Sequence, residues 1–162
     1  MNEAGENRKG QFMASHRIAG IDHGSVRIGI AIADEGGTIA TACDNYVRRG
    51  DRADAERFRR LVQEEGITRF IVGLPIHLDG HESAASADAR RFGQWLAEVT
   101  GVAVEFFDER FSSSEAVEHL AAAGLSRKKR KQRLDKLAAQ VMLTAYLEAG
   151  GQSPTAPRGL DD

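Results

Sequence analysis

The chain has 162 residues, 41% of them apolar and 28% charged, with a formal net charge of −2. That length supports one well-buried core but not two full-sized domains, and the composition excludes both a disordered chain and a membrane-embedded one. No stretch holds the ~20 consecutive apolar residues of a bilayer span, and the small net charge gives no global attraction for nucleic acid.

Residues 1–16 are polar, contain Gly and show no periodicity, so a disordered extension is expected there, without the apolar core of a secretory signal. Residues 17–22 and 27–33 are short β-branched runs flanking the turn Asp22-His23-Gly24-Ser25, which predicts an antiparallel hairpin. In the second run Ile28, Ile30 and Ile32 fall on one face. Gly29, Ala31 and Ala33 fall on the other, where small side chains would admit a helix or another chain. Residues 38–47 read as a third strand. It carries Cys43, the one cysteine of the chain, expected as a small core residue; a lone thiol forms no internal disulfide and fits a reducing cytoplasm.

The period then becomes helical. Residues 51–66 place Ala55, Phe58, Leu61 and Val62 on one face, with Gly66 as the stop. Residues 69–74 form an almost continuous apolar strand, as expected when both sheet faces are covered. Pro75 ends it, and a Gly-containing loop spans 76–82. Residues 84–100 predict a second helix with Ala89, Phe92, Leu96 and Val99 inward, and 102–107 a fifth strand. Ser112-Ser113-Ser114-Glu115 offers a capping box for a short helix ending at Gly124. Ser126 can cap the last helix, whose apolar stripe reads as Leu134, Leu137, Ala138, Val141 and Ala145. Residues 150–162 are expected as a disordered tail, leaving 17–149 as one domain.

The element order is therefore βββαβαβαα. Right-handed crossovers make this an α/β fold with a five-stranded mixed sheet flanked by helices, the first and fourth strands side by side at its centre. Open sheets of this kind bind ligands at the C-terminal ends of their strands. Asp22 and Glu109 each follow such an end, and Asp135 lies in the last helix, about 100° from Leu134 at the edge of the stripe. Three converging carboxylates would raise one another's pKa unless a cation neutralised them. Their hard oxygens suit Mg2+ or Mn2+, and a metal pair ~4 Å apart can drive phosphodiester hydrolysis.

Each acid also has a structural reading. Asp22 can bond its own turn, Glu109 can pair with Arg110, and Asp135 can pair with Lys131 for ~0.3–0.5 kcal/mol. Arg127, Lys128, Lys129, Arg130, Lys131, Arg133 and Lys136 crowd into ten residues around Asp135. Such a run makes phosphate contacts without base specificity, or is simply a solvated helix start. A Gly-containing loop keeps His77 and His81 out of the helical register that metal binding at a spacing of four would use. Trp95, on a helix edge, can pack or stack a base.

Four blocks occur in order over residues 17–148: Ile21-Asp22-His23-Gly24-Ser25-Val26-Arg27-Ile28-Gly29, Ile71-Val72-Gly73-Leu74-Pro75, Asp108-Glu109-Arg110-Phe111-Ser112-Ser113 and Leu134-Asp135-Lys136-Leu137-Ala138-Ala139. In them the chain resembles the YqgF (RuvX-type) family of candidate Holliday junction resolvases and pre-16S rRNA nucleases. The resemblance implies a ribonuclease H-like fold, with Asp22, Glu109 and Asp135 at the family's acidic active-site positions and Arg27 and Arg110 at its recurrent arginines. His23 stands at a variable position where Pro or Tyr is frequent, and Ser112-Ser113 replace two threonines; neither removes a candidate ligand.

The implied activity is a cytoplasmic, Mg2+- or Mn2+-dependent endonuclease that matures the 5′ end of 16S ribosomal RNA from a precursor. Branched DNA is the alternative substrate. Two symmetric nicks in a four-way junction would need a homodimer, and the sequence leaves monomer and dimer open. A non-catalytic RNA-binding module in ribosome assembly or transcription is a third reading. An actin-like ATPase shares the Asp-x-Gly turn but needs a second domain that this length does not supply. No membrane partner is expected.

Overall fold

In the computed structural model, β1 (Arg17–His23) and β2 (Arg27–Ala33) form the antiparallel hairpin, and β3 (Ala40–Val47) pairs antiparallel with β2. The structure describes residues 16–77, 79–111 and 126–151, with the side chains of Phe111, Lys131, Leu134, Asp135 and Lys136 outside the description. The terminal extensions, apart from His16, Gly150 and Gly151, and the short helix expected at 112–124 lie outside the described residues.

Helix α1 (Asp51–Glu65) leads into β4 (Ile67–Leu74), which runs parallel to β1. Helix α2 (Ala84–Thr100) leads into β5 (Ala103–Asp108), parallel to β4. A 3-10 turn over Glu109–Phe111 follows, and α3 (Arg127–Glu148) closes the fold. The sheet order β3-β2-β1-β4-β5 puts β1 and β4 at the centre, as the crossover argument requires.

The strand alternation divides the interior in two. Ile21, Ile28, Ile30, Phe70 and Val72 point to the face covered by α1 and α2, where Phe58, Phe92 and Leu96 meet them. Ala31, Ala33, Ile71 and Phe107 point to the other face, under α3. The small residues of β2 do admit a helix. The closest approach is at Gly20 of β1, where a Cβ would lie 2.8 Å from Leu143 Cβ and 3.4 Å from the Ala139 carbonyl oxygen. Only glycine lets the α3 backbone settle at that depth.

Two expectations are corrected here. The buried stripe of α3 is Ala139, Met142, Leu143 and Tyr146, while Leu137, Ala138, Val141 and Ala145 are half-buried. The stripe is turned by one residue because Gly20 accepts Leu143, and because the Tyr146 hydroxyl, buried with its ring, donates to Glu105 Oε2 at 2.6 Å. Cys43 is exposed rather than in the core. The β2–β3 register slips between Ile30↔Asp44 and Ala31↔Ala42, so Cys43 is the extra residue of a bulge on an edge strand.

A buried acid ties α1 to the sheet. Asp54, fully buried, accepts hydrogen bonds from the Tyr46 hydroxyl at 2.7 Å, the Arg49 backbone N–H at 2.9 Å and Arg48 Nε at 3.2 Å. Burial alone would raise its pKa, but those donors outweigh it and hold the carboxyl below the usual range. Among the described residues no helix is long and apolar enough to cross a membrane.

Candidate active site

Asp22 is the penultimate residue of β1 and sits opposite Gly29 in the hairpin. By alternation it faces the α3 side of the sheet with Gly20, while His23 turns the other way and lies against Phe92, ring centroids 4.8 Å apart. Burial, and then the Arg48 charge, lower the pKa of His23. Next to Ile21, β4 contributes Val72 and then Gly73.

Glu109 opens the 3-10 turn beyond β5, and its side chain folds back over β4. It can do so because Gly73 has none: a Cβ there would lie 3.0 Å from Glu109 Cγ and closer still to Oε1. Through that gap the Glu109 carboxyl meets Asp22 in a carboxyl–carboxyl hydrogen bond. Burial first, then the negative charge and hydrogen bond of Asp22, then Asp108, push the Glu109 pKa up to about 8. Two ionised carboxylates in contact require a cation, and in its absence a proton holds the pair together. These hard oxygen donors fit a divalent metal of the Mg2+ class.

Among the described residues no three His, Cys, Asp or Glu side chains gather. Position 135 lies one helical turn before Ala139, in line with Ala139, Met142 and Tyr146 on the stripe that faces the sheet. Helix α3 also packs against the turn that holds Glu109. The Asp135 side chain is outside the described residues. The fold thus joins Asp22 to Glu109 and sets the third position on the helix opposite.

Of the arginines, Arg27 is exposed and lines, with Asp22, Ser25 and Asn45, a cleft of ≈310 Å3. Within it the buried Asn45 Oδ1 has no hydrogen-bond partner among the described residues. Arg110 donates to Asp108 through Nη2 at 2.6 Å and Nε at 2.8 Å, while Glu109 turns to Asp22. Arg127, Lys128, Lys129, Arg130 and Arg133 are exposed at the start of α3, where Ser126 accepts from the Lys129 N–H at 3.3 Å. Cations there oppose the helix dipole, so helix stability does not account for them, and a bound anion would offset the repulsion. The side chains of Lys131 and Lys136 lie outside the described residues. His81 pairs with Asp79 at 3.0 Å in an exposed loop closed by an Ile76–Glu82 bridge.

Asn45 was not among the residues singled out from the sequence, and Gly73 stood there only inside the block Ile71-Val72-Gly73-Leu74-Pro75, with no role of its own. An isolated glycine inside an apolar strand is the signal for Gly73, since it marks close approach by another group. Nothing local distinguishes Asn45.

A family model described as RuvX, Holliday junction resolvase, matches residues 16–149. A protein of Rhodopirellula baltica named as a candidate pre-16S rRNA nuclease is 43% identical over 138 residues, 85% of this chain and 80% of that one. A relative from Anaeromyxobacter dehalogenans with the same name is 41% identical over 132 residues, 82% of this chain and 96% of its own. Thermus thermophilus RuvC, solved in complex with a Holliday junction substrate, matches with a TM-score of 0.52 at 16% identity, over 85% of this chain and 98% of that one. The fold is ribonuclease H-like.

Proposed function

This chain belongs to the RuvX family, and from that membership we propose that it is a cytoplasmic, divalent-metal-dependent endonuclease acting on the 5′ end of precursor 16S rRNA. The observation that carries this reading is the Asp22–Glu109 carboxyl pair at the ends of two strands, a buried like-charge contact that a metal would satisfy. Asp22 and Glu109 would hold Mg2+ or Mn2+, with Asp135 as the third donor, over a single domain spanning residues 17–149. When bound, the metal supplies the positive charge that phosphodiester hydrolysis needs. Arg27 at the cleft, Arg110 and the basic run (Arg127, Lys128, Lys129, Arg130, Lys131, Arg133, Lys136) would hold phosphates and keep the strand in register. The relatives' names favour ribosomal precursor RNA as the substrate.

A second reading, cleavage of four-way DNA junctions, is favoured by the description of the family model. One experiment addresses both: precursor rRNA and a synthetic junction are each incubated with the protein in Mg2+, Mn2+ or chelator. Metal-dependent cuts near the 5′ end of the RNA, lost in Asp22→Asn with RNA binding retained, are the expected result. Equal cleavage by Asp22→Asn in metal-replete buffer would overturn the site assignment.

A further inference from the structure

A second cleft, ≈490 Å3, opens on the opposite side of the β1 end, between that strand and α2. His23 and Ser25 line both this cleft and the one at Asp22, so the two adjoin at the end of the strand. A row of rings crosses its floor: His23 lies 4.8 Å from Phe92 and Phe92 lies 5.4 Å from Trp95, tilted by 31° and 36°. Trp95 is half-buried, with one edge against Phe58. The Arg48 guanidinium stands over Phe92 at 5.6 Å.

The rim carries Arg48 and Arg91 against Asp51 and Asp88. Arg48 is committed to Asp54 at 3.2 Å, and Arg91 is paired with Asp88. With Asp54 counted, carboxylates outnumber guanidiniums three to two, which suits an uncharged planar group rather than a phosphate. The exposed carboxylates of Asp51 and Asp88 are acceptors for the amino group of a base.

We propose that this cleft is a subsite for one unpaired nucleobase of the bound strand, stacked on the His23–Phe92–Trp95 row while the adjoining backbone passes Asp22. The inference rests on the nucleic-acid reading above. It makes the protein selective for single-stranded segments next to the cut, because a base within a duplex is not free to leave its stack.

Trp95 is the one tryptophan of the chain, so its emission reports on this cleft alone. The full chain, in chelator to prevent cutting, is titrated with single-stranded decaadenylate and with a ten-base-pair RNA duplex. Tryptophan emission and the anisotropy of labelled RNA are followed together. The single strand should quench Trp95 and the duplex should not. Trp95→Ala should weaken single-strand binding roughly 5- to 100-fold, with Trp95→Phe restoring most of it and duplex binding unchanged.

Single-strand binding with unaltered Trp95 emission would overturn the subsite and leave the nuclease reading intact; this measurement on the native chain needs no folded variant. Failure of the native chain to bind any RNA would overturn both.

Discussion

The carboxyl groups of Asp22 and Glu109 meet across a strand that belongs to neither: Asp22 ends β1, Glu109 follows β5, and β4 runs between them. Gly73 of β4 is the gap that permits the contact. The proposed metal site depends on that missing side chain.

Glu109 gives the metal-free protein a pH signature. Its folded pKa, about 8, stands above the ordinary value of 4.5, so the folded chain binds this proton more tightly than the unfolded one. Its contribution is therefore most favourable at acid pH, declines as pH rises from about 4.5 to 8, and becomes a net cost relative to a neutral group above that. Discounted for its partial exposure, a cost of about 1–2 kcal/mol corresponds to about 3–6 °C in Tm. In chelator, Glu109→Gln should raise Tm by that amount at pH 9 and leave it nearly unchanged at pH 5. Addition of Mn2+ should raise Tm of the native chain at pH 9 more than that of the variant. Scanning calorimetry at the two pH values checks both, and equal Tm differences at pH 5 and 9 would contradict the pairing.

Gly73→Ala should separate the site from the fold. The new Cβ displaces the Glu109 carboxyl from Asp22, which should lower metal-dependent cleavage by about 10-fold or more while the sheet persists. Cleavage rates in Mn2+, set beside circular dichroism of the same sample, make the comparison. Native-level cleavage would show that Glu109 need not reach over β4.

The basic run should appear in the salt dependence. Changing Arg127, Lys128, Lys129 and Arg130 to Gln should flatten the slope of log K against log salt by about 0.7 for each lost phosphate contact with single-stranded RNA, about 3 in all. Anisotropy titrations between low and moderate salt give the slope. An unchanged slope would assign the run to solvent.

Asp54 sets the acid limit. Its folded pKa lies below the ordinary carboxylate value, so the stability it confers is present above that value and is lost as pH falls through the folded one. Asp54→Asn should cost about 2–3 kcal/mol at pH 7 and much less near pH 2. Urea midpoints at the two pH values measure this, and a pH-independent loss would point to packing instead of charge.

Much of this was legible in the residues themselves. The Ile28-Ile30-Ile32 alternation gave the hairpin and its two faces, and the apolar block around Ile71 and Val72 gave a central strand covered on both sides. What stayed hidden was contact between distant segments. Leu137 and Val141 draw the apparent stripe of α3 to the wrong phase, since hydropathy does not register that Gly20 receives Leu143 or that Tyr146 can bury its ring while bonding Glu105. The exposure of Cys43 follows from a register slip that no residue near it announces. Asp22 and Glu109 could each be picked out as strand-end acids, but their union runs through Gly73, whose isolation in an apolar strand marks a close approach without naming the side chain that fills it.

The divided interior has an architectural consequence. The larger cluster, around Phe58 and Phe70, is sealed by α1 and α2, whereas α3 is seated on a separate and smaller one anchored by Leu143 and Tyr146. The acid pair therefore lies beneath a cover whose fastening is independent of the main hydrophobic mass. Substitutions at Tyr146 can loosen that cover while leaving the cluster around Phe58 and Phe70 intact, so the setting of the acid pair and the main core are free to vary apart.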